Sequence, residues 1–239
     1  MQTPLYVGLS GQLALRRRLE VVANNVANMN TVGFRAENSL FAAHLVRAEQ
    51  NRQVAFVVDR ATYTDMRAGT FEKTGNTLDV AIRGDGWLQV ETPDGVRYTR
   101  DGRLNLSADG FLVTVNGEPV LDLEGQPIQI PEDVSAIDIR KDGTIMEGDR
   151  VFGQIGVVRL ENLDALVREA NGLYRASGEP VPSDGAELIQ GMLESSNVQP
   201  IVAMTELIDL SRAYERVSSL VDNTHEVERK AIDRLGQVS

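Results

Sequence analysis

The longest unbroken helical pattern in the chain lies at its C-terminal end and limits what the chain can fold into. Residues 201–235 contain neither glycine nor proline, and 35 helical residues would span about 52 Å. Asn197 can cap this helix, and Pro200 falls in its first turn, where a missing N–H is tolerated. A lone helix of this length needs a partner. Apolar residues recur along this helix at alternating spacings of four and three residues, which places them on one face that we call the seam. The seam includes Leu207, Leu210, Tyr214, Val217 and Val221.

A second helical pattern near the N-terminus offers that partner. No glycine or proline occurs from Gln12 to Val32, and Gly33 follows where a left-handed C-cap is expected. We predict that the two terminal helices pair as a coiled-coil-like stem; the alternative is that each seam only covers the central part of the chain. The N-terminal seam consists of Leu15, Leu19, Val22, Val26 and Met29.

Four asparagines fall at the end of the N-terminal helical pattern, where a buried amide is costly without partners. One hypothesis is that these amides bond across interfaces in a bundle of several subunits, where polar seam residues select register and partner. The alternative is local, with Asn28 and Asn30 only terminating the helix. We favour the inter-subunit role for Asn24 and Asn25 and leave both possibilities open for the other two.

Between the two ends the hydrophobic period changes to two, as in residues 87–92 and 111–115. Five Asp-Gly or Asn-Gly pairs separate such segments, and these pairs suit two-residue hairpins because both central residues need positive φ. The pattern predicts a central antiparallel β-domain and an α+β fold class. The pairs begin at Asp85, Asp94, Asp101, Asp109 and Asn116.

These patterns divide the chain into five segments, and its charge is unevenly spread over them. The net charge is −11, and residues 1–35 carry four arginines against one glutamate. Residues 201–239 carry five basic and seven acidic side chains, which leaves −12 in the middle and argues against nucleic acid as a main partner. The predicted segments are an N-terminal stem helix (1–35), a connector (36–75), the β-domain (76–175), a return connector (176–196) and a C-terminal stem helix (197–239).

No motif in the sequence indicates an active site, a metal site or a cofactor. Cysteine is absent, and His44 and His225 stand alone without the spacing of a metal site. Most aspartates of the β-region precede glycine, which is a turn position. The alternative from another functional class is a periplasmic glycan-acting enzyme with two carboxylates about 5–9.5 Å apart. No stretch is long and apolar enough for a membrane span. At the N-terminus a basic cluster follows a short apolar stretch, whereas in a signal peptide the basic region comes first.

Three blocks of the sequence resemble the bacterial flagellar axial proteins of the rod and hook. These blocks are "LEVVANNVANMNTVGFRAE", "LESSNVQPIVAMTELIDLSRAYERV" and the region from "DVAIRGDGW" to "NGEPVL". The resemblance implies a non-enzymatic subunit of the basal-body rod that transmits torque from the motor to the hook. The two ends of the chain are most similar to the proximal rod members, and a distal rod or hook-type protein is the alternative.

The same resemblance implies where the protein works and what it contacts. It implies export through the flagellar type III apparatus without a cleaved signal, and a place in the periplasmic rod. Its expected partners are copies of itself, proximal rod subunits below and the distal rod protein above. We expect the paired helices to line the inside of a tubular assembly with the acidic β-domain outside. In the connector 36–75, "ENSLFAAHLVRAEQ" could continue as helix and the rest looks like extended chain with a turn. Because this pattern suits neither the helix bundle nor the sheet, we expect the connector to contact other rod proteins.

Overall fold

The computed structural model describes residues 3–47, 53–131, 133–134, 136–161, 163 and 166–236. A long helix stands at each end of this part of the chain, with antiparallel strands between them. The α+β fold class is therefore confirmed. The chain forms two compact units, which we call the helix–hairpin unit (residues 1–29, 36–65 and 198–239) and the β-unit (residues 30–35 and 66–197).

The helix–hairpin unit contains α1 (Thr3–Ala27) and α2 (Pro200–Gly236). Helix α2 extends one residue beyond each end of the glycine-free stretch 201–235. Helix α1 begins before the glycine-free stretch that starts at Gln12 and includes Gly8, where an added Cβ would lie 3.0 Å from Cγ2 of Val221, so glycine allows α2 to approach.

Helix α1 also ends five residues before Val32, so the predicted end was wrong. Gly33 does have a positive φ of 68°, but it follows the end of the helix by six positions and does not cap it. The helix ends where the backbone and side-chain N–H groups of Asn28 both bond to the Asn24 carbonyl. The amides therefore compete with continuation of the helix.

The helix–hairpin unit also contains a long hairpin that the sequence analysis did not identify. Strands β1 (Glu37–Arg47) and β2 (Gln53–Thr64) pair antiparallel, with Glu37 opposite Thr64 and a register shift between Leu40 and Phe41. Both strands contact α1. A two-stranded hairpin is marginal by itself, and this helix supports it. Most of the segment predicted as a connector is thus regular structure.

The β-unit is built from small antiparallel sheets. A six-stranded sheet has the order β13-β14-β6-β5-β12-β15, and a three-stranded sheet has the order β11-β10-β9. The remaining strands pair as β16 with β4, β17 with β3, and β7 with β8. The strand bounds are β3 Phe71–Lys73, β4 Val80–Arg83, β5 Trp87–Thr92, β6 Gly95–Thr99, β7 Leu104–Leu106, β8 Leu112–Thr114, β9 Asp138–Ile139, β10 Thr144–Glu147, β11 Arg150–Gln154, β12 Val157–Arg159, β13 Val167–Arg168, β14 Tyr174–Arg175, β15 Val181–Pro182, β16 Glu187–Gln190 and β17 Met192–Glu194.

Turns lie at three of the five Asp-Gly or Asn-Gly pairs, but the predicted geometry with positive φ at both central residues is wrong. Gly95, Gly110 and Gly117 have positive φ and follow paired strands or bridges, whereas the residues before them do not have positive φ. Asp85 and Asp101 do not begin hairpin turns. Gly102 is required for another reason, because a Cβ there would lie 1.6 Å from the Val80 carbonyl oxygen.

The β-unit has its own closed core. Leu88, Val90, Leu112 and Ile145 are fully buried in one apolar cluster. A second cluster surrounds Trp87, whose ring lies 4.9 Å from that of Tyr174. The segment predicted as the return connector contributes β15, β16 and β17 and so belongs to these sheets. Neither described helix is long and apolar enough to cross a membrane.

Candidate assembly surface

Helices α1 and α2 pair antiparallel within the chain. The side-chain amide of Gln12 donates to the Tyr214 hydroxyl at 3.4 Å and to the Ser218 hydroxyl at 3.5 Å. Arg18, further along α1, bonds at 2.6 Å to Glu206, which is earlier in α2. The predicted pairing of the terminal helices is therefore confirmed within one chain.

The predicted seam residues lie on or near this helix pair to different degrees. Val22 and Leu210 are buried, and their position suits the apolar contact that the heptad spacing indicated. A role of the seam between subunits stays a prediction. The half-buried members of the seam are Leu15, Leu19, Val26, Met29, Leu207, Tyr214, Val217 and Val221.

The asparagines at the end of α1 differ in what they bind. Asn25 is buried, and its amide makes two bonds to the Glu37 backbone, accepting from N–H at 2.9 Å and donating to C=O at 2.7 Å. Asn25 therefore ties α1 to the start of β1, so its buried amide has partners within the chain. The exposed Asn24 and the half-buried Asn28 belong to the local helix end described above, as the local hypothesis proposed for Asn28. An inter-subunit role for Asn24 stays a prediction.

Both helices carry large apolar side chains on their outward faces. On α2, Ile201 is 82% exposed and Ile208 is 52% exposed, and Met204 lies between them on the same face. Ile201 is about 180° around the helix from the buried Leu210, so this stripe lies opposite the seam. Exposed apolar patches of this kind mark interaction surfaces. Further exposed members are Leu9 and Leu13 on α1 and Val202, Leu220 and Val227 on α2.

A groove of about 600 Å³ runs beside the first turns of α2. Apolar side chains form much of its floor, and the Arg18–Glu206 ion pair stands at its side. Its shape and composition suit an apolar side chain or helix ridge from another molecule. The lining residues are Arg18, Ile201, Val202, Thr205, Glu206, Asp209, Leu210 and Ala213.

A cluster of buried charges lies in the β-unit and consists of Arg35, Arg100 and Glu194, which we call the exit cluster. The Glu194 carboxylate accepts from Arg35 Nη2 at 2.7 Å and from Arg100 Nε at 2.9 Å. The side chains of all three are at least 95% buried. No spacing pattern in the sequence indicates this cluster, because its members are far apart in the chain.

Ionisable groups elsewhere in the β-unit have structural roles. Hydrogen bonds from Arg97, and then from Arg175, lower the pKa of Glu169 below its ordinary value of 4.5. The backbone N–H of Thr144 lowers the pKa of Asp142 at a turn, and burial raises the pKa of Tyr98. Across the described ranges, no group of three or more His, Cys, Asp or Glu side chains is placed to hold a metal ion.

Models of known protein families match three parts of the chain. A flagellar basal-body rod protein model matches residues 5–35, and a flagellar hook protein FlgE/F/G D1 domain model matches residues 81–147. A flagellar basal-body rod FlgEFG C-terminal model matches residues 189–234. The matched parts include α1, the centre of the β-unit and α2.

Curated proteins match over the whole chain. The chain is 42% identical to the flagellar basal-body rod protein FlgF of Caulobacter vibrioides, with 100% of both chains covered. It is 33% identical to FlgF of Salmonella typhimurium, with 97% of each covered. It is 32% identical to the flagellar basal-body rod protein FlgG of Bacillus subtilis, with 98% of this chain and 99% of the relative covered.

Proposed function

The chain belongs to the flagellar basal-body rod protein family as a FlgF-like structural subunit, and we propose that it stands in the proximal rod and carries torque towards the hook. It is a building block of the basal body that assembles with other rod proteins, and it is not an enzyme. The glycan-acting alternative has no support from any of these relatives. The observation that carries the proposal is the apolar stripe on α2 opposite its partner helix.

This stripe gives the helix pair a second surface to bury. Ile201, Met204 and Ile208 stay exposed on the side of α2 away from the buried Leu210. Burying each such side chain would contribute roughly 1.5–3 kcal/mol, which favours assembly with neighbouring subunits. In the proposed rod, helix pairs from several subunits pack side by side through these faces. They line the inside of the tube while the acidic β-units face outward.

The predicted seam has a narrower role in this proposal than the sequence indicated. Leu210 and Val22 hold the two helices of one chain together, and the outward stripe makes the contacts between chains. Asn24 lies at the exposed end of α1, and we keep it as a candidate for contact with a neighbour. The seam then affects assembly indirectly, because the paired helices that it stabilises carry the apolar stripe on their outer side.

The neighbours of the subunit follow from the geometry of a shaft. Heterologous contacts do not close on themselves, so a subunit confined to one zone must meet different proteins at its two axial ends. We propose proximal rod subunits below it and the distal rod protein above it, with the β1–β2 hairpin and the terminal helices making these contacts. We also propose a periplasmic position, reached through the flagellar type III export apparatus without a cleaved signal.

The neighbours can be tested by crosslinking in cells. A photoreactive amino acid at Tyr63, which is 52% exposed on β2, should crosslink to other rod proteins in intact basal bodies. The same group at Val151, which is 62% exposed on the β-unit, serves as the matched control for a surface turned away from the tube. If Tyr63 crosslinks only to copies of this chain along a long filament, the proximal position is wrong. A distal rod or hook-type position would then take its place.

A further inference from the structure

The exit cluster lies where the chain enters and leaves the β-unit. The chain passes between its two units after residues 29, 35, 65 and 197. Arg35 directly precedes one of these passages, and Glu194 comes shortly before another. Residues 33–35, 67–70 and 194–197, which we call the exit segments, therefore lie near the places where the chain enters and leaves the β-unit.

The exit segments are hydrogen-bonded to one another. Gly33 N–H donates to the Glu194 carbonyl at 2.7 Å, and Asn197 N–H donates to the Phe34 carbonyl at 3.3 Å. The Asn197 side chain donates to the Arg67 carbonyl at 2.8 Å. Ser195 N–H also donates to the Thr70 carbonyl at 2.8 Å, so backbone hydrogen bonds join all three segments without the exit cluster.

The exit cluster adds charged bonds to the same segments. The Glu194 carboxylate also accepts from Gly69 N–H at 2.9 Å, and Arg35 donates to the Arg67 carbonyl. Arg100 holds the other side of the carboxylate and donates to the Gly86 and Ile82 carbonyls at 2.9 Å, deep in the β-unit. One carboxylate therefore links two exit segments and the interior of the sheets.

Close packing at two glycines shows how little space the exit segments have. A Cβ at Gly33 would lie 2.5 Å from the carbonyl carbon of Arg100, and a Cβ at Gly69 would lie 1.8 Å from the Ser195 carbonyl oxygen. Such approaches admit only glycine, so residues 67–70 are in direct backbone contact with residues 194–197, and Gly33 is in direct contact with the backbone of Arg100. A small displacement of one segment would therefore break bonds in the others.

A gain in stability alone does not explain the three buried charges of the exit cluster. Replacing a buried ion cluster by apolar side chains is often neutral or stabilising, whereas charges with fixed geometry select one arrangement. We propose that Arg35, Glu194 and Arg100 are positioning residues that lock the exit segments in one arrangement, so that the β-unit transmits torque without local opening. This inference rests on the proposed function, and it adds the residues that hold the exit segments of the β-unit together.

The test compares two arginine variants of the full chain. Arg35→Met removes the bonds to Glu194 and to the Arg67 carbonyl at the exit segments. Arg97→Met is the matched control, because Arg97 is also buried in the β-unit and bonds to Glu169 at 2.7 Å, but it lies outside the exit segments. Glu194→Asp keeps the charge but shortens the side chain, so it separates the need for geometry from the need for charge.

Hydrogen exchange on the purified chain is the first readout. Arg35→Met and Glu194→Asp should speed exchange at Gly33, Gly69 and Asn197 by about tenfold or more, and Leu112 in the core should stay within about twofold. Arg97→Met should leave the three exit amides at the wild-type rate. Equal exchange at these amides in wild type and Arg35→Met would overturn the lock, as would equal effects of Arg35→Met and Arg97→Met.

Motor torque in cells is the second readout. In a strain that lacks its own copy, Arg35→Met and Glu194→Asp should lower stall torque or motility, and Arg97→Met should restore both. Wild-type torque in both exit-cluster variants would contradict the inference. If the wild-type chain itself fails to enter basal bodies, the proposed function fails instead, and the exchange experiment still decides whether the lock exists.

Discussion

The two units of the chain bury their apolar residues in different ways. In the β-unit, Leu88 and Ile145 are completely buried, so the apolar core is closed within one chain. In the helix–hairpin unit, Leu210 is buried but Ile201 and Ile208 are more than half exposed on the same helix. The difference indicates that the β-unit closes its main core within one chain, whereas α2 exposes an apolar stripe of the kind that marks an interaction surface.

The largest effect is expected from a charge in the seam of the helix–hairpin unit. Leu210→Asp buries an unpaired carboxylate and should cost several kcal/mol in the helix pair, so rod assembly and motility should be lost. The β-unit should stay folded, which can be followed by fluorescence because Trp87 is the only tryptophan and lies in that unit. Ser219→Asp, on an exposed position of α2, is the control. Normal swimming of the Leu210→Asp strain would refute the seam assignment.

A substitution that leaves a cavity in the core of the β-unit should destabilise that unit and not the helix pair. Ile145→Ala removes a fully buried side chain from the main core cluster and should destabilise the β-unit by about 2–5 kcal/mol. Urea unfolding followed by Trp87 fluorescence gives the change. Val151→Ala, at a side chain that is 62% exposed, should change the same quantity by less than about 0.5 kcal/mol. Similar losses in both variants would mean that the core is not closed as described.

Breaking the link between α1 and the hairpin should have a smaller, local effect on stability. Asn25→Ala leaves the Glu37 backbone without its two amide bonds and should cost about 1–3 kcal/mol. Exchange of the Asp65 amide, which donates to the Ala36 carbonyl at 2.7 Å at the hairpin base, should therefore become faster. Asn24→Ala, one position earlier and exposed, is the control. Unchanged exchange at Asp65 in Asn25→Ala would show that the amide does not hold the hairpin.

The smallest effect concerns acid stability of the β-unit. The pKa of Glu169 is lowered in the folded chain by hydrogen bonds from Arg97 and Arg175. A lowered carboxyl pKa contributes stability above the ordinary value, and this contribution is lost as pH falls through the folded value. Stability measured by Trp87 fluorescence should therefore fall in this acidic range, and Glu169→Gln should show a shallower fall. An identical pH profile in both proteins would contradict the assignment.

The sequence predicted the parts of the fold that depend on local periodicity. Helix α2 follows the apolar repeat of residues 201–235, which contain no glycine or proline, and extends one residue beyond each end of that stretch. The matching stretch for α1 begins only at Gln12, whereas the helix also includes Gly8 and Gly11, and packing against α2 favours glycine at position 8. The β1–β2 hairpin was missed because "ENSLFAAHLVRAEQ" is compatible with a helix and only its partner strand favours the extended form.

The candidate site could be predicted only in part, since much of it depends on distant contacts. The seam at Leu210 follows from spacing along one helix. The amide of Asn25 was noticed as unusual, but its partner Glu37 could not be identified without the structure. The exit cluster joins Arg100 to Glu194 across 94 residues, and no spacing rule connects them. Residues that act through such contacts have no signal in one sequence alone.

In the proposed rod, other subunits complete the helix–hairpin unit and leave the β-unit unchanged. Because the chain has no cysteine, a single introduced thiol reports on one position. The Ile208→Cys variant should react with a maleimide in the purified chain and be shielded in intact basal bodies. The Gln126→Cys variant, on an exposed turn of the β-unit, should react in both. Equal labelling of the Ile208→Cys variant in the free chain and in basal bodies would contradict the account.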